Sequence, residues 1–238
     1  VYKRQVYVVC TEGVAELDLQ SMHFRTLMTG EVKSVCHHEG VLYIGYRNHV
    51  LRKGDAEDVF SPFLSLPDDV TEISAITMAS GGGIWLGTAG NGAYMLDDGS
   101  MLHIVAEGNI TNIYEDSEGS MWIGSWEDGL YCISPEGGTS VFRHDDADMD
   151  SITSNFVRCC CEDGSGRIWV GTFTGLDCID RRTGRISHYA ADNSRDDSLS
   201  HSSIWCLRRD RQGNIWAGTY FGGVNCFNPE YSVFTRYV

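Results

Sequence analysis

The sequence predicts an all-β protein, a β-propeller of four-stranded blades, and three observations lead to this prediction. An aromatic residue flanked by short strand-forming segments recurs about every 42 residues, which is the length of one blade. Glycine accounts for 27 of the 238 residues and proline for only 4, which is typical of many tight turns between short strands. Hydrophobic residues make up 42% of the chain, enough for blades to share cores with their neighbours.

Six aromatic anchors mark the repeats. Four units contain a tryptophan followed two residues later by glycine, as in IWLGT and IWVGT, and two weaker units contain a tyrosine instead. The anchors are Tyr7, Tyr43, Trp85, Trp122, Trp169 and Trp216. Because a blade cannot bury both of its faces alone, we expect the tryptophans to lie in the cores between blades. The glycine after each tryptophan indicates a close approach of the backbone to a neighbour.

The last unit shows the strand pattern most clearly. Its predicted strands are residues 203–208, 214–219, 224–227 and 233–237. The first turn begins with Asp210 and ends with Gly213, as a type I turn prefers. Aspartates recur at this place in Asp116 and Asp163, and turn capping explains them better than calcium, which needs several convergent oxygens.

The blade count follows from the anchors. Because the Tyr7 unit has no visible first strand, the sequence predicts five complete blades plus part of a sixth, an incomplete propeller over residues 6–238. The residues before it, Val1–Gln5, form a separate segment. VYKRQ back-translates to GTG-TAT-AAG-AGA-CAG, which resembles a transposon-end adaptor of sequencing libraries, so we interpret residues 1–5 as a sequencing artefact.

The charge excludes several functions. The chain has 18 basic and 33 acidic residues, a net charge of −15, which argues against binding to nucleic acid or to an anionic membrane surface. No apolar stretch approaches the length of about 18 residues that a membrane-spanning helix needs. The sequence has no P-loop, G-x-S-x-G or H-E-x-x-H pattern, so we expect no cofactor and no catalytic residue.

The nine cysteines are expected to pack in the interior as free thiols. Three of them, Cys132, Cys178 and Cys226, occupy the place that Met95 takes in another repeat, and methionine there indicates a packing position. There is no C-x-x-C pair, and neighbouring residues on a strand point to opposite faces. We therefore predict no metal site.

Three of the units, around Trp122, Trp169 and Trp216, resemble the two-component regulator propeller repeat. The residues that carry the resemblance are IYEDSEGSMWIGS, CCEDGSGRIWVGT and LRRDRQGNIWAGT. Two connectors, residues 145–157 and 194–204, are similar to the Asp-rich S-L-S-x-N-x-V passage of that family. The resemblance covers residues 6–238; it is specific in the last four units and loose in the first two.

The resemblance implies a function. In that family, tandem propellers form the extracytoplasmic sensor half of membrane histidine kinases, many of them hybrid kinases of gut Bacteroidetes that detect oligosaccharides. It therefore implies a periplasmic sensor that binds an oligosaccharide or another small ligand and pairs as a homodimer through the full sensor region. It also implies that a transmembrane helix and a histidine kinase lie outside this chain, so the chain itself is not an enzyme.

A ligand is expected on the face that carries the loops between second and third strands. Four residues after the anchor, these loops present aromatic side chains, which suit the apolar faces of sugar rings, or in one weaker unit Arg47. The candidate ligand-binding residues are Trp126, Phe173, Tyr220, Glu127, Asp128, Asn91, Arg47, Asn155 and His201. The alternative for the aromatics is that they wedge between blades, and for Asn155 and His201 that they serve the turns. Trp205, on a first strand, is expected in the core.

Two other functions stay open at this stage. A propeller can be a protein-interaction scaffold, but the chain lacks the Gly-His and Trp-Asp signature of WD40 repeats and the double glycine of kelch repeats. A streptogramin-lyase-like enzyme would need a histidine and acidic groups that converge with perturbed pKa values. The eight histidines are scattered along the sequence, with His37 and His38 as an adjacent pair.

Overall fold

The computed structural model describes residues 5–10, 12–229 and 231–237. These residues form 23 β-strands and, within the described ranges, no helix. The chain divides into two compact units, Val1–Glu107 and Gly108–Val238. Each unit contains three antiparallel sheets in which strands that follow one another in sequence are neighbours, as in the blades of a propeller.

The first unit begins with a three-stranded blade, β1 (Gln5–Cys10), β2 (Gly13–Asp18) and β3 (His23–Thr29). Its second blade contains β4 (Val32–His38), β5 (Val41–Tyr46), β6 (His49–Gly54) and β7 (Ser61–Ser65). Its third blade contains β8 (Ile73–Met78), β9 (Ile84–Thr88), β10 (Ala93–Asp97) and β11 (Ser100–Val105).

The second unit consists of three four-stranded blades. The fourth blade of the chain contains β12 (Ile110–Glu115), β13 (Met121–Ser125), β14 (Leu130–Ile133) and β15 (Thr139–Phe142). The fifth contains β16 (Val157–Glu162), β17 (Ile168–Thr172), β18 (Leu176–Ile179) and β19 (Ile186–Tyr189). The sixth contains β20 (Ile204–Arg209), β21 (Ile215–Thr219), β22 (Val224–Asn228) and β23 (Val233–Tyr237).

The predicted blade count was wrong, because the structure has six blades rather than five and part of a sixth. The sequence analysis counted a blade only where four strands were visible. In the first blade, β1 pairs with β2 from Gln5 to Cys10 and β2 pairs with β3 along its whole length, which makes a complete antiparallel meander of three strands. Val14 of this sheet is buried in a core with Val32 of the next blade, so the sheet packs as the other blades do. Val1–Arg4, the greater part of the segment interpreted as an adaptor, lie outside the described residues.

The tryptophan anchors lie in the cores, as predicted. Trp85, Trp122 and Trp169 are buried, and Trp216 is half-buried. The indole N–H donates to the turn aspartate six residues earlier in three successive blades: 2.7 Å from Trp122 to Asp116, 2.9 Å from Trp169 to Asp163 and 2.8 Å from Trp216 to Asp210. The other carboxylate oxygen caps the turn, as in Asp116, which accepts the backbone N–H groups of Glu118 and Ser120. In each of these three blades, one aspartate thus joins the turn to the core.

The glycines after the anchors mark the close approach of successive blades. A Cβ atom at Gly124 would lie 2.8 Å from a methyl group of Val157, and one at Gly171 would lie 2.7 Å from a methyl group of Ile204. Val157 and Ile204 begin the first strands of the next blades. Hydrogen in place of a side chain therefore lets these blades pack closely.

A β-bulge interrupts the pairing of the first strand in five blades. In β16 the register shifts between Val157 and Cys159, and in β20 it shifts between Ile204 and Cys206. The same shift occurs in β4, β8 and β12. A bulged residue lies outside the ladder, which re-aims its side chain. In β16 and β20 these residues are Arg158 and Trp205.

Candidate functional site

The candidate aromatic residues of the second unit occupy equivalent places because one backbone hydrogen bond recurs. The N–H group of the residue four positions after the anchor donates to a carbonyl group that precedes the first strand of its own blade. The pairs are Trp126 with Asn109 (2.9 Å), Phe173 with Phe156 (3.0 Å) and Tyr220 with Ser203 (3.0 Å). The loop between the second and third strands and the connector before the first strand therefore meet at the same end of each blade.

The three aromatic side chains combine a packed part and an open part. Trp126 is 39% exposed, Phe173 51% and Tyr220 46%. The ring of Phe156 lies edge-on to Trp126, with centroids 5.6 Å apart, and 6.0 Å from the ring of Phe173. Trp126 therefore touches the next blade, as the wedge alternative expected, while much of each ring remains open to a ligand.

Trp205 lies on this face and not in the core, so the prediction for this residue was wrong. It is 51% exposed, and its ring stacks on Tyr220 with centroids 5.7 Å apart and an interplanar angle of 18°. The physical reason is the bulge between Ile204 and Cys206, which removes Trp205 from the alternation of the strand.

An arginine that the sequence analysis did not single out lies at the centre of these rings. The Cζ atom of Arg158 is 4.0 Å from the ring centroid of Trp205, 5.3 Å from that of Trp126 and 5.5 Å from that of Phe173. A guanidinium group over aromatic faces is a cation–π arrangement. We call this set the Arg158 cluster; it contains Arg158, Trp126, Phe156, Phe173, Trp205 and Tyr220.

The Arg158 guanidinium has unused hydrogen-bond donors. Its Nε and Nη1 atoms are buried and have no partner among the described residues. Burial lowers the pKa of Arg158 below its usual value, and Cys159 and Tyr220 act in the opposite direction. Since arginine has a pKa far above neutral, the group remains charged. Its position in the repeat was the available signal, because Arg158 and Trp205 both lie eleven residues before a tryptophan anchor.

The other candidate residues of the second unit mostly serve the local turns. The Asn155 side chain accepts the backbone N–H of His144 at 2.8 Å, and His201 Nδ1 accepts the N–H of Ser203 at 3.0 Å. The turn alternative therefore accounts for Asn155. The His201 ring also lies 6.5 Å from the ring of Tyr220, beside the Arg158 cluster.

The two acidic candidates follow Trp126 directly in sequence. Glu127 is exposed. Asp128 receives a hydrogen bond from Arg143 on its backbone carbonyl at 3.2 Å, and its own N–H donates to Ser125 at 2.8 Å. The Asp128 backbone thus stabilises the loop that carries Trp126. The side chain of Asp128 is half-buried.

The remaining two candidates belong to the first unit. Arg47 is exposed, with a positive φ of 54°, and its guanidinium lies 5.8 Å from the ring of the preceding Tyr46. Asn91 donates to Asp69 at 3.0 Å, and its backbone carbonyl is 2.8 Å from His103 Nε2. Both follow the second strand of their blade, as predicted.

A groove runs between the first strands of the second unit. It has a volume of about 440 Å³ and is lined in part by Asn112, Tyr114, Cys159, Cys206 and Arg208. The Nδ2 atom of Asn112 is buried without a partner among the described residues. Burial raises the pKa of the Cys159 and Cys161 thiols, that of Cys161 to about 12, so these two thiols remain protonated near neutral pH. Among the residues that the structure describes, no three His, Cys, Asp or Glu side chains come together as a metal site requires.

The connectors before the fifth and sixth blades are each held by their own blade. Asp177 accepts the N–H of Thr153 at 2.8 Å and pairs with His188 at 2.8 Å, and His188 Nε2 lies 2.9 Å from the carbonyl of Met149. In the sixth blade the equivalent Asn225 accepts the N–H of Ser200 at 2.9 Å. These contacts fix the connectors that lead into β16 and β20, the strands that carry Arg158 and Trp205.

Comparison with known proteins agrees with this architecture. The two-component regulator propeller family matches residues 105–127, 151–174 and 198–221, which confirms the resemblance in three repeats. The sheets thus have the strand order of β-propeller blades, and these three segments match the two-component regulator propeller repeat. No curated protein matches the chain in sequence.

Three solved structures share the fold. One is the extracellular domain assigned to a hybrid two-component system of B. thetaiotaomicron. The match covers 100% of this chain and 40% of the length of that domain, with a TM-score of 0.57 and 16% sequence identity. For a second such domain from B. thetaiotaomicron, the match covers 99% of this chain and 38% of the length of that domain, with a TM-score of 0.55 and 17% sequence identity. Virginiamycin B lyase from Staphylococcus aureus matches 100% and 81%, with a TM-score of 0.75 and 12% identity.

This chain spans about two fifths of the length of the two-component structures that it matches, 40% and 38%. At this sequence identity, the structural likeness shows a common fold and nothing more. Within the described part of the chain, no helix has the length and apolar character needed to cross a lipid bilayer.

Proposed function

We propose that this chain is the ligand-sensing propeller of a two-component signal transduction sensor and that it binds an oligosaccharide at the Arg158 cluster. In this proposal the chain lies in the periplasm and performs no chemistry of its own. The signal passes to a cytoplasmic histidine kinase on a part of the protein outside this chain. Support comes from the family match in three repeats and from the structures of extracellular two-component domains that share the fold.

The Arg158 cluster is the observation that carries the ligand-binding proposal. Four half-open aromatic side chains, Trp126, Phe173, Trp205 and Tyr220, come together from three successive blades. Exposed aromatic groups with a charged group at their centre are typical of recognition surfaces, since rings supply contact area and the polar group fixes the orientation. Sugar rings have apolar faces that stack on such rings, and their hydroxyl groups can donate hydrogen bonds to the carboxylate of Glu127 or form them with the ring of His201.

Signalling in this proposal requires a ligand to favour one of two arrangements of the protein. Because the cluster is built from three blades, a ligand that bridges Trp126 and Trp205 interacts with more than one blade at once. A ligand shifts an equilibrium only by its difference in affinity between the two states. We propose that these states are two packings of a homodimer formed by the full sensor region.

The test is binding of oligosaccharides to the chain and its variants. Calorimetric titration with a panel of neutral and acidic plant and host oligosaccharides is expected to give at least one saturable ligand. Trp126→Ala and Trp205→Ala are each expected to raise the Kd for that ligand by about tenfold or more, since a contact worth about 1.4 kcal/mol changes Kd tenfold. Phe24→Ala is the matched control, because Phe24 is an exposed aromatic on β3 in the first unit.

The outcomes separate the proposed site from the proposed ligand class. Equal losses in Phe24→Ala and Trp126→Ala would place the ligand elsewhere and overturn the site. No binding by any member of the panel, with a folded protein, would overturn carbohydrate recognition. For a lyase-like function, the fold shared with virginiamycin B lyase at 12% identity is the observation at hand, and it concerns the fold alone.

A further inference from the structure

We propose that the ligand of the Arg158 cluster carries a carboxylate group, as a uronic-acid-containing oligosaccharide does, and that Arg158 binds this group. This inference deepens the proposed function, and its carbohydrate part rests on that proposal. It assigns a role to a residue that stacking alone does not explain, because the edges of its guanidinium remain unused.

The first step is the lack of a counterion. The chain is strongly acidic, with a net charge of −15, and other arginines of the second unit pair closely with carboxylates. Arg167 pairs with Asp163 at 2.7 Å and Arg195 with Asp197 at 2.9 Å. Arg158 forms no ion pair with any residue that the structure describes, and aromatic rings surround it instead.

The second step is the geometry of the guanidinium fork. A carboxylate binds to arginine through two parallel hydrogen bonds along one edge, either Nε with Nη2 or Nη1 with Nη2. The Nε and Nη1 atoms of Arg158 both lack a partner among the described residues, so each edge retains an unused donor. Buried donors of this kind are normally satisfied in a native structure. Both atoms are shielded from solvent in this structure, so a ligand carboxylate reaches them when the half-open rings that cover them move aside.

The third step is the position of the cation beside open rings. In a uronic acid the carboxylate is a substituent of the sugar ring, so an anion and an apolar ring face occur within one residue of the ligand. Arg158 stacked at 4.0 Å on Trp205, beside the open faces of Trp126 and Phe173, matches that combination. A long polyanion fits less well, because the negative charge of the whole chain repels it.

The test compares an acidic disaccharide with its neutral counterpart. Digalacturonate and galactobiose are titrated into the chain, Arg158→Gln, Arg158→Lys and Arg182→Gln. Digalacturonate is expected to bind at least tenfold more tightly than galactobiose. Arg158→Gln is expected to abolish that preference, so that digalacturonate and galactobiose bind with equal affinity, while Arg158→Lys keeps the charge without the fork and retains part of the preference. Arg182 is the control because its side chain is 84% exposed.

A second measurement keeps the inference testable without an oligosaccharide. The ¹⁵N-detected Nε–H signal of Arg158 is followed during titration with glucuronate and with glucose, at constant salt. A saturable shift with glucuronate and none with glucose supports the carboxylate site, even if the sugar panel binds nowhere and the proposed function fails. The absence of a shift with glucuronate overturns the inference. Equal affinity for digalacturonate and galactobiose in the wild type also overturns it and leaves the proposed function standing.

Discussion

Arg181 donates a 2.6 Å hydrogen bond from Nη1 to Oδ2 of Asp116, the same oxygen that accepts the indole N–H of Trp122. Arg181 belongs to the fifth blade and Asp116 to the fourth, so the contact joins two blades of the second unit. The Nη2 atom of Arg181 also pairs with Glu162 at 2.9 Å. One guanidinium thus neutralises two buried carboxylates where the turn of one blade meets the next.

Replacement of Arg181 by methionine is expected to destabilise the protein by about 3–5 kcal/mol, because it leaves buried carboxylates without a counterion. Urea unfolding followed by tryptophan fluorescence measures the change. Arg182→Met, which removes an exposed neighbouring arginine, is the control and is expected to change stability by less than about 0.5 kcal/mol. Equal stabilities of the two variants would show that the Arg181 network does not hold the blades together.

Gly171→Ala is expected to destabilise the second unit by about 1–3 kcal/mol through overpacking. The new methyl group would lie 2.5 Å from Cys159 Sγ and 2.7 Å from a methyl group of Ile204, which are both buried. Gly164→Ala in the same blade is the matched control, because its nearest neighbour is the flexible end of Arg209 at 3.5 Å. Thermal unfolding of the two variants side by side gives the comparison. A wild-type melting temperature for Gly171→Ala would contradict the close approach of the blades.

The His188–Asp177 pair is expected to make connector stability depend on pH. Burial alone would lower the pKa of His188, but the hydrogen bonds to Asp177 and Met149 outweigh it and raise the pKa above its usual value. A raised histidine pKa stabilises the folded state fully at pH values below the unfolded pKa, and this contribution is lost as the pH rises through the folded pKa. For the partner Asp177 the signs are reversed: burial raises the pKa of its carboxyl group, and the hydrogen bonds from His188 and Thr153 act against this.

The measurement is the difference in stability between the wild type and His188→Gln as a function of pH. We expect the free energy of unfolding of the wild type to increase relative to that of the variant as the pH falls from about 8 towards the unfolded histidine pKa of about 6.5. Hydrogen exchange of the Thr153 N–H, which is bonded to Asp177, reports the same change locally. His23→Gln, an exposed substitution on β3, is the control. If the stability difference between the wild type and His188→Gln does not change with pH across this window, the His188–Asp177 pair does not make stability pH-dependent.

The thiols are expected to divide by accessibility. All nine cysteines are free, and the run from Cys159 to Cys161 is buried. The prediction that the cysteines pack in the interior was wrong for Cys10 and Cys206, which are exposed. Burial raises the pKa of these buried thiols, and only the thiolate reacts readily. Titration with a disulfide reagent should therefore modify Cys10 and Cys206 quickly in the native protein and all nine cysteines after unfolding. Fewer than nine after unfolding without reductant would show that disulfides form.

The sequence predicted the repeating parts of the fold well. The spacing of the tryptophans, the turn aspartates and the glycines after the anchors all reflect contacts that recur in each blade, as the bonds from Trp122 to Asp116 and from Trp169 to Asp163 show. The first blade was miscounted because its three strands depart from the four-strand pattern that the other units share. Periodicity therefore predicts those elements that repeat and fails where a unit is atypical.

The candidate site was predictable only in part. The loop positions of Trp126, Phe173 and Tyr220 follow from the repeat, but Arg158 and Trp205 depend on a bulge that two-residue alternation does not reveal. Asn155 was named as a ligand residue, yet its side chain is bonded to His144 in the connector. Which side chains meet across successive blades depends on packing between repeats, and this is information that no single repeat contains.

The bulge in the first strands leaves one side chain of each strand outside the hydrogen-bonded ladder. The residues that the ladder passes over are Lys33, Ser74, Thr111, Arg158 and Trp205, one in each of five blades. They differ in size, charge and polarity, although the residues on either side of them keep the same pairing. A blade can therefore exchange this side chain without rebuilding its sheet. Under the proposed function, Arg158 and Trp205 are thus positions at which a blade can change its contact with a ligand while the pairing of its first strand stays the same.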